Sequence, residues 1–351
     1  MTDGMYRIGI VGASSLGGKE LSDELSDSLL AASDFSLLDA DEVAGTITAA
    51  GEEASLIQPI QSASFKHLDF VFFSGSAETT RQHWKNALRA GAGVVDLTYA
   101  LENEPGILVR APWVQHAPGQ KTLPGVAEPD LKTPGVVSAH PAAVMLALIA
   151  HRLQAKLPLR DVAATLMEPA SEYGREAMDE LHQQTVNLLS FHALPREQYD
   201  AQVSFNLMPA LGTAAKVKLD QTSDRIRRHF STITGGKLPD LALQLIQAPV
   251  FHGYVASVLI DFAEPVTTQQ IESALAGDNI DIVSGESDPP SNLSAAGQED
   301  IMVRVTSEPP GAGTSTRFWL WLAADNLKLA ALNSIACALE LRRLRPTGKV
   351  Q

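Results

Sequence analysis

From residue 6 the chain runs through a short β-branched stretch, a glycine and serine turn and a stretch of helical spacing, "YRIGIVGASSLGGKELSDEL". This order predicts a strand, a sharp turn and a helix. About 20 residues later "FSLLDADEVAG" supplies a second strand and completes a βαβ unit. "LDFVFFSGS" and "AGVVDLT" are continuous apolar runs, as expected of strands buried on both faces, and the helical "ETTRQHWKNALRA" lies between them. Such alternation predicts a parallel sheet with helices on both sides. "VVSAHPAAVMLAL", residues 136–148, reads as a further buried strand, a break at His140-Pro141 and an apolar helix.

Beyond this junction the pattern changes. Helical stretches at 142–156 and 173–192 accompany strand-like segments "DVAATLME", "APVFHGYVASVLIDF", "DIMVRVTS" and "TRFWLWLAA". Strands arriving in a run predict a mixed or mostly antiparallel sheet with helices on one face, an α+β domain. "SGESDPPSNLSAAGQED" is polar and turn-rich and reads as a surface loop. The final helical stretch, "DNLKLAALNSIACALELRRL", has an apolar face bordered by small residues and is expected to return to the first domain. The division expected is therefore 1–140 plus 325–351 for an α/β nucleotide-binding domain, and 141–324 for the second domain. No internal repeat is visible.

Composition narrows the function classes. With 351 residues and 45% hydrophobic content the chain can build two cores. Its formal charge of -14, from 41 acidic and 27 basic side chains, argues against nucleic acid or an anionic membrane as a partner. The start lacks the basic region and long apolar run of a secretory signal, and the longest apolar stretch, near 142–150, is too short to span a bilayer. A single cysteine, Cys337, makes neither an internal disulfide nor a multi-cysteine metal site. A cytoplasmic location is the expectation.

The first candidate site is the glycine turn. Gly9, Gly12 and Gly18, with Ala13, Ser14, Ser15 and Leu16 between them, fall after a strand and before a helix, where backbone amides can approach a pyrophosphate in a Rossmann-type domain. A tight turn with no ligand is the plain alternative. At the end of the second strand stand Asp39, Asp41 and Glu42. A carboxylate there suits the ribose 2′-OH of NAD, whereas three carboxylates disfavour the extra phosphate of NADP. Solvated acids at a turn are the competing reading, and a chain that binds no nucleotide remains open.

The motifs around this turn resemble those of the aspartate-semialdehyde dehydrogenase family over nearly the full chain. Gly-Ala-Ser-Ser-Leu-Gly-Gly stands where that family has Gly-Ala-Thr-Gly-x-Val-Gly, and "FFSGSAETT", with Ser74 and Gly75, resembles its serine-rich turn. "AADNLKLAALNSIACALEL" is similar to the family's "ADNLRKGAALNAVQIAE", and "FNLMP" and "APVFHGYVASVLIDF" fall between these anchors in the family's order. The resemblance implies a two-domain homodimer that binds NADP, attacks an acyl phosphate or aldehyde with a cysteine thiolate, moves protons with a histidine, and holds anionic substrate with arginines. Amino-acid biosynthesis is the setting it implies.

By the same resemblance, the reacting groups are missing. The family's Asn-Pro-Asn-Cys falls on His140-Pro141-Ala142-Ala143, so the nucleophile position is Ala143, and a methyl group forms no thioester. Its Gly-His falls on Gly253-Tyr254, replacing a group that titrates near neutrality by a phenol. The arginine of Arg-x-Pro-Val becomes Gln247, and Asp-Asn-Ser-Ser-Ala-Phe-Arg becomes residues 96–102, ending in Glu102. Ser-Gly-Ala-Gly is placed on Glu168-Pro169-Ala170-Ser171, and the NADP-binding arginine on Glu42. Cys337, deep in a helix far from the strand-to-helix junction, reads as packing rather than a substitute nucleophile.

His140 and His252 fall near the old active-site positions and, with Tyr254, could form a new polar cluster. Two histidines without a placed carboxylate or third ligand are weak evidence for a metal, satisfied polar side chains are the plain reading, and no metal is expected. "DRIRRHF" at 224–230 reads as a solvated helical face before an anion site. Met178, Leu181, Leu188 and Leu189 in "REAMDELHQQTVNLLSFH" could pack on the sheet or on a second subunit. Three functions follow: a non-catalytic homologue that keeps the scaffold and NAD binding and acts in regulation or assembly with a small-molecule ligand; an NAD(P)-dependent oxidoreductase on an aldehyde by a cysteine-independent route; and a structural protein with an empty cleft. The first is the reading favoured.

Overall fold

The computed structural model describes residues 6–31, 34–50, 53–115, 125–285 and 287–344. Residues 1–5, on which the expectation about the chain's start partly rests, lie outside these, as do Glu286 of the polar stretch and the residues after 344. Contacts divide the chain into a unit of residues 1–140 and 330–351 and a unit of residues 141–329.

In the first unit β1 (Arg7–Val11) leads into α1 (Leu16–Asp27), β2 (Asp34–Asp39), the hairpin β3 (Ile47–Ala50) and β4 (Glu53–Leu56), and β5 (Gln58–Pro59). Then follow β6 (Phe70–Phe73), α2 (Ala77–Arg89), β7 (Gly93–Asp96), β8 (Leu108–Arg110), α3 (Pro112–Gln115) and β9 (Gly135–Ser138). Seven strands form one sheet in the order β5-β2-β1-β6-β7-β9-β8, every pairing parallel. From β1 the chain winds first to β2 and later to β6, so the sheet's switch point lies at the carboxyl end of β1, where open α/β sheets hold ligands. Alternate residues of each strand feed two cores. Ile8, Ile10, Phe70, Phe72, Val95 and Val136 join one, and Val11, Val71, Phe73, Val94 and Val137 the other.

The second unit opens with α4 (Pro141–Gln154), followed by β10 (Leu159–Glu168), a 3-10 turn at Ala170–Tyr173, α5 (Arg175–Leu189), α6 (Leu219–Ile233), β11 (Leu241–Gln247) and β12 (Tyr254–Val266). It continues with α7 (Thr268–Leu275), β13 (Ile280–Ile282), α8 (Asn292–Ala295), β14 (Ile301–Glu308), β15 (Ser315–Ala324) and α9 (Asn326–Leu344), whose body belongs to the first unit. Six strands form a mixed sheet, β11-β10-β12-β15-β14-β13, parallel at its two outer pairs and antiparallel within. One face is buried through Val162, Ala164, Leu166, Ala256, Val258, Ile260, Phe318, Leu320 and Leu322. The opposite face stays half-open, with Trp319 40% and Trp321 37% exposed.

Three expectations need correction. The strand read over 248–262 begins only at Tyr254. Pro249 has no amide for a ladder, and the carbonyls of Val250 and Phe251 instead accept from the amides of Ala170 and Ser171 at 2.9 Å each. The polar stretch 284–300 is not all loop, because Ser291 and Ser294 form a capping box that starts α8. Among the basic residues of 224–230, Arg227 pairs with Asp224 at 2.8 Å, while Ile226, His229 and Phe230 are buried, so this segment is half core.

Cys337 lies in the α9 body, packed with Ile8, Ile10 and Leu21 in the first unit's core. Its Sγ–H donates to the Arg110 carbonyl at 3.6 Å, and burial pushes the thiol well above its ordinary pKa. A thiol in that state is neither nucleophile nor redox centre.

Candidate functional site

The glycine turn is built by close backbone approach. Gly12 has φ +85, and a Cβ there would overlap Gly75 of the β6–α2 turn, so both loops at the switch point need glycine. Ser15 caps α1, its Oγ accepting from the Gly18 amide at 2.9 Å and donating to the Ser74 carbonyl at 2.9 Å. The amides of Gly12 and Ala13 go to the Leu38 carbonyl at 2.9 and 3.3 Å. Asp39 is part of the same construction: its Oδ2 accepts from the Ser14 amide at 2.9 Å and its Oδ1 from the Ala40 amide at 2.8 Å. Asp41 and Glu42 are exposed. Of the three acids, Asp39 is the one tied into the turn.

At the carboxyl end of β9, Asn333 donates through Nδ2 to Ser138 Oγ at 2.8 Å and to the Arg110 carbonyl at 3.2 Å. Its buried Oδ1 has no donor. Asp96 closes the turn after β7 by accepting from the amides of Thr98 at 2.7 Å and Leu101 at 2.9 Å, and burial raises its pKa. His140 is buried and stacks on Tyr99, ring centres 5.5 Å apart.

In the second unit Ala143 is fully buried in the first turn of α4. Tyr254, at the start of β12, is buried and its hydroxyl donates to Glu172 Oε2 in a short bond; the same oxygen accepts from Asn326 Nδ2 at 3.3 Å. Tyr173 donates to Glu168 Oε2 at 2.6 Å. Glu168 is fully buried, and its Oε1 has no hydrogen-bond partner. Burial, and after it the charge of Glu172, push the Glu168 carboxyl well above the usual carboxylate range, against the pull of the Tyr173 bond. Gln247 stands opposite Glu168 in the parallel ladder and spends its Nε2 on the carbonyls of Glu168 and Ala248 at 3.1 Å each. His252 is half-buried, and its carbonyl accepts from Asn292 Nδ2 at 3.3 Å.

The turn before α5 is Ser171-Glu172-Tyr173-Gly174, closed by Gly174 at φ +83. That is three residues after the four on which the sequence comparison placed the family's Ser-Gly-Ala-Gly. Sequence reasoning also missed Glu172, Tyr173, Asn326 and Asn333. A signal for Glu168 existed: it continues the inward parity of Val162, Ala164 and Leu166 along β10, so its carboxyl had to be buried.

Comparison with known proteins decides the family. Residues 7–184 match the semialdehyde dehydrogenase NAD binding domain, and residues 151–329 the semialdehyde dehydrogenase dimerisation domain. The chain belongs to the semialdehyde dehydrogenase family. A USG-1 protein homolog of Pseudomonas aeruginosa is 31% identical over 93% of this chain and 95% of its own length. The aspartate-semialdehyde dehydrogenase of Rickettsia bellii is 24% identical over 96% of this chain and 97% of its own. Among solved structures, a probable aspartate-semialdehyde dehydrogenase from Pseudomonas aeruginosa superposes with a TM-score of 0.81 at 28% identity, covering 97% of this chain and 99% of that one.

The semialdehyde dehydrogenase fold thus brings its NAD binding and dimerisation domains to this chain. The turn fits a dinucleotide: Ser15 holds the helix start with its hydroxyl turned inward, leaving the first α1 amides at a helix N-terminus, where a pyrophosphate is stabilised. Among the described residues no helix is long and apolar enough to cross a membrane.

Proposed function

We propose that this chain is a non-catalytic member of the semialdehyde dehydrogenase family that binds NAD and acts as a regulatory or assembly subunit. The observation that carries this reading is the state of Tyr254: the residue at the histidine position is buried with its hydroxyl given to Glu172. With Ala143 at the nucleophile position and Gln247 bonded to backbone carbonyls, the thiolate, the base and the guanidinium clamp of the family reaction are replaced together. Cys337 is the chain's one cysteine, and its place in the first unit's core supports the same conclusion.

On this reading Asp39 accepts the ribose hydroxyls of NAD through lone pairs not used by the Ser14 and Ala40 amides, and the first amides of α1 hold the pyrophosphate. Asn333 Oδ1 offers a buried acceptor for a carboxamide N–H. NADP would bring a phosphate onto a carboxylate fixed in place. Isothermal calorimetry should give saturable heat with NAD and at least about tenfold weaker binding of NADP, one pK-sized interaction of about 1.4 kcal/mol. Equal affinities, or heat from neither nucleotide, would remove cofactor sensing from the account.

The half-open sheet face is where we place a homodimer. Leu259 lies at its centre, opposite Ala163 on one neighbour and Trp319 on the other. The variant Leu259→Arg would bury an unpaired cation in that interface and is expected to sediment as a monomer where the parent sediments as a dimer. A dimer unaffected by this change would place the interface elsewhere.

A second reading, hydride transfer without a thiol, rests on the Tyr254–Glu172 contact as a proton path. NADH consumption with a panel of aldehydes would select it.

A further inference from the structure

We infer that the second unit carries a cation site, formed by Glu168, Glu172 and Gln247, that takes a divalent metal ion, with manganese(II) as the probe. Carboxylate oxygens of Glu168 and Glu172 lie within 4.8 Å of each other. Oxygens on opposite sides of an ion stand about 4.2 Å apart for magnesium and about 4.8 Å for calcium, so one ion can reach both carboxylates. Each carboxylate is also oriented from behind. Tyr173 holds Glu168 by Oε2 at 2.6 Å, and Tyr254 and Asn326 hold Glu172 by Oε2, the arrangement by which outer hydroxyls fix metal ligands.

Two close carboxylates alone would not make a site. The independent observation is Gln247. It is fully buried on the strand beside Glu168, and in-register neighbours of a parallel ladder project to the same side of the sheet. Its Nε2 is anchored to two backbone carbonyls, yet its Oε1 has no donor. Glu168 Oε1 lacks one as well. Glu168 and Gln247 thus present two buried acceptor oxygens without donors from neighbouring strands on one side of the sheet, and buried acceptors of this kind are normally satisfied by a donor, water or ion.

The test uses the full-length protein after chelator treatment, titrated with manganese(II) alone and followed by calorimetry and by loss of the free-ion electron paramagnetic resonance signal. One ion per chain is expected. Glu168→Gln should weaken binding by about 100-fold or more, and Tyr173→Phe, which removes only the orienting hydroxyl, by about 10-fold. Should Glu168→Gln fail to fold, Tyr173→Phe carries the comparison. No manganese bound by the parent at millimolar concentration, or unchanged binding in the folded variants, would overturn the site. In that case an infrared carboxylic-acid band lost in Glu168→Gln would show that a proton takes the cation's place. Nucleotide binding and turnover are separate measurements, so this site stands or falls apart from the function proposed above.

Discussion

Glu340→Ala is expected to destabilise the first unit by about 3–5 kcal/mol, the usual consequence of stripping the partner from a buried charge. Arg110 is completely buried at the end of β8. Its Nε donates to Glu340 Oε2 at 2.8 Å, its Nη2 makes a short bond to Oε1, and its Nη1 donates to the Ala127 carbonyl at 2.7 Å. The fork-to-fork pair ties the strand edge to α9, and truncation takes the carboxylate away from a buried guanidinium. Chemical denaturation measures the loss. Because the guanidinium, rather than the missing carboxylate, is what the core cannot tolerate, Arg110→Met combined with Glu340→Leu should recover most of it. A single variant within about 0.5 kcal/mol of the parent would show that the pair is solvated in practice.

Restoring the thiol is expected to fail as a rescue. Ala143→Cys places sulfur in the first turn of α4, where the helix dipole favours a thiolate, but the other positions are unchanged. Tyr254 still donates its hydroxyl hydrogen bond to Glu172, and loss of a general base alone costs about 10²–10⁴ in rate. Gln247 supplies no charge to grip a carboxylate, and its amide is bonded to backbone carbonyls. Nucleotide reduction by this variant with aspartate semialdehyde and phosphate should therefore stay at background. Turnover at an ordinary enzymatic pace of about 1–10³ s⁻¹ would mean that the surrounding groups are competent and that only the sulfur was lost.

How far the sequence foretells this molecule depends on whether a feature is local. The β1–α1 turn was legible because its glycines, its capping serine and the flanking strand lie within one short run. The buried strands "FVFF" and "GVVS" announced themselves by continuous apolarity. Tyr254 falls on the histidine position by resemblance alone, and its hydrogen bond to Glu172 spans 82 residues, farther than any spacing rule reaches. Asn333 was hidden differently: in a helix dominated by apolar and small residues it reads as one polar interruption, and only β9 supplies its partner Ser138. The segment before Tyr254 misled because "APVF" has strand composition while Pro249 cannot sustain a ladder.

The proposed function joins lost chemistry to a retained scaffold. Its most direct test is turnover by the purified parent protein with aspartate semialdehyde, phosphate and either nucleotide, followed by absorbance of the reduced cofactor. The expected result is no reduction above the buffer control for NAD or NADP, in a sample that calorimetry shows to bind NAD. Steady reduction at about 1 s⁻¹ or faster, abolished by omitting phosphate, would contradict it.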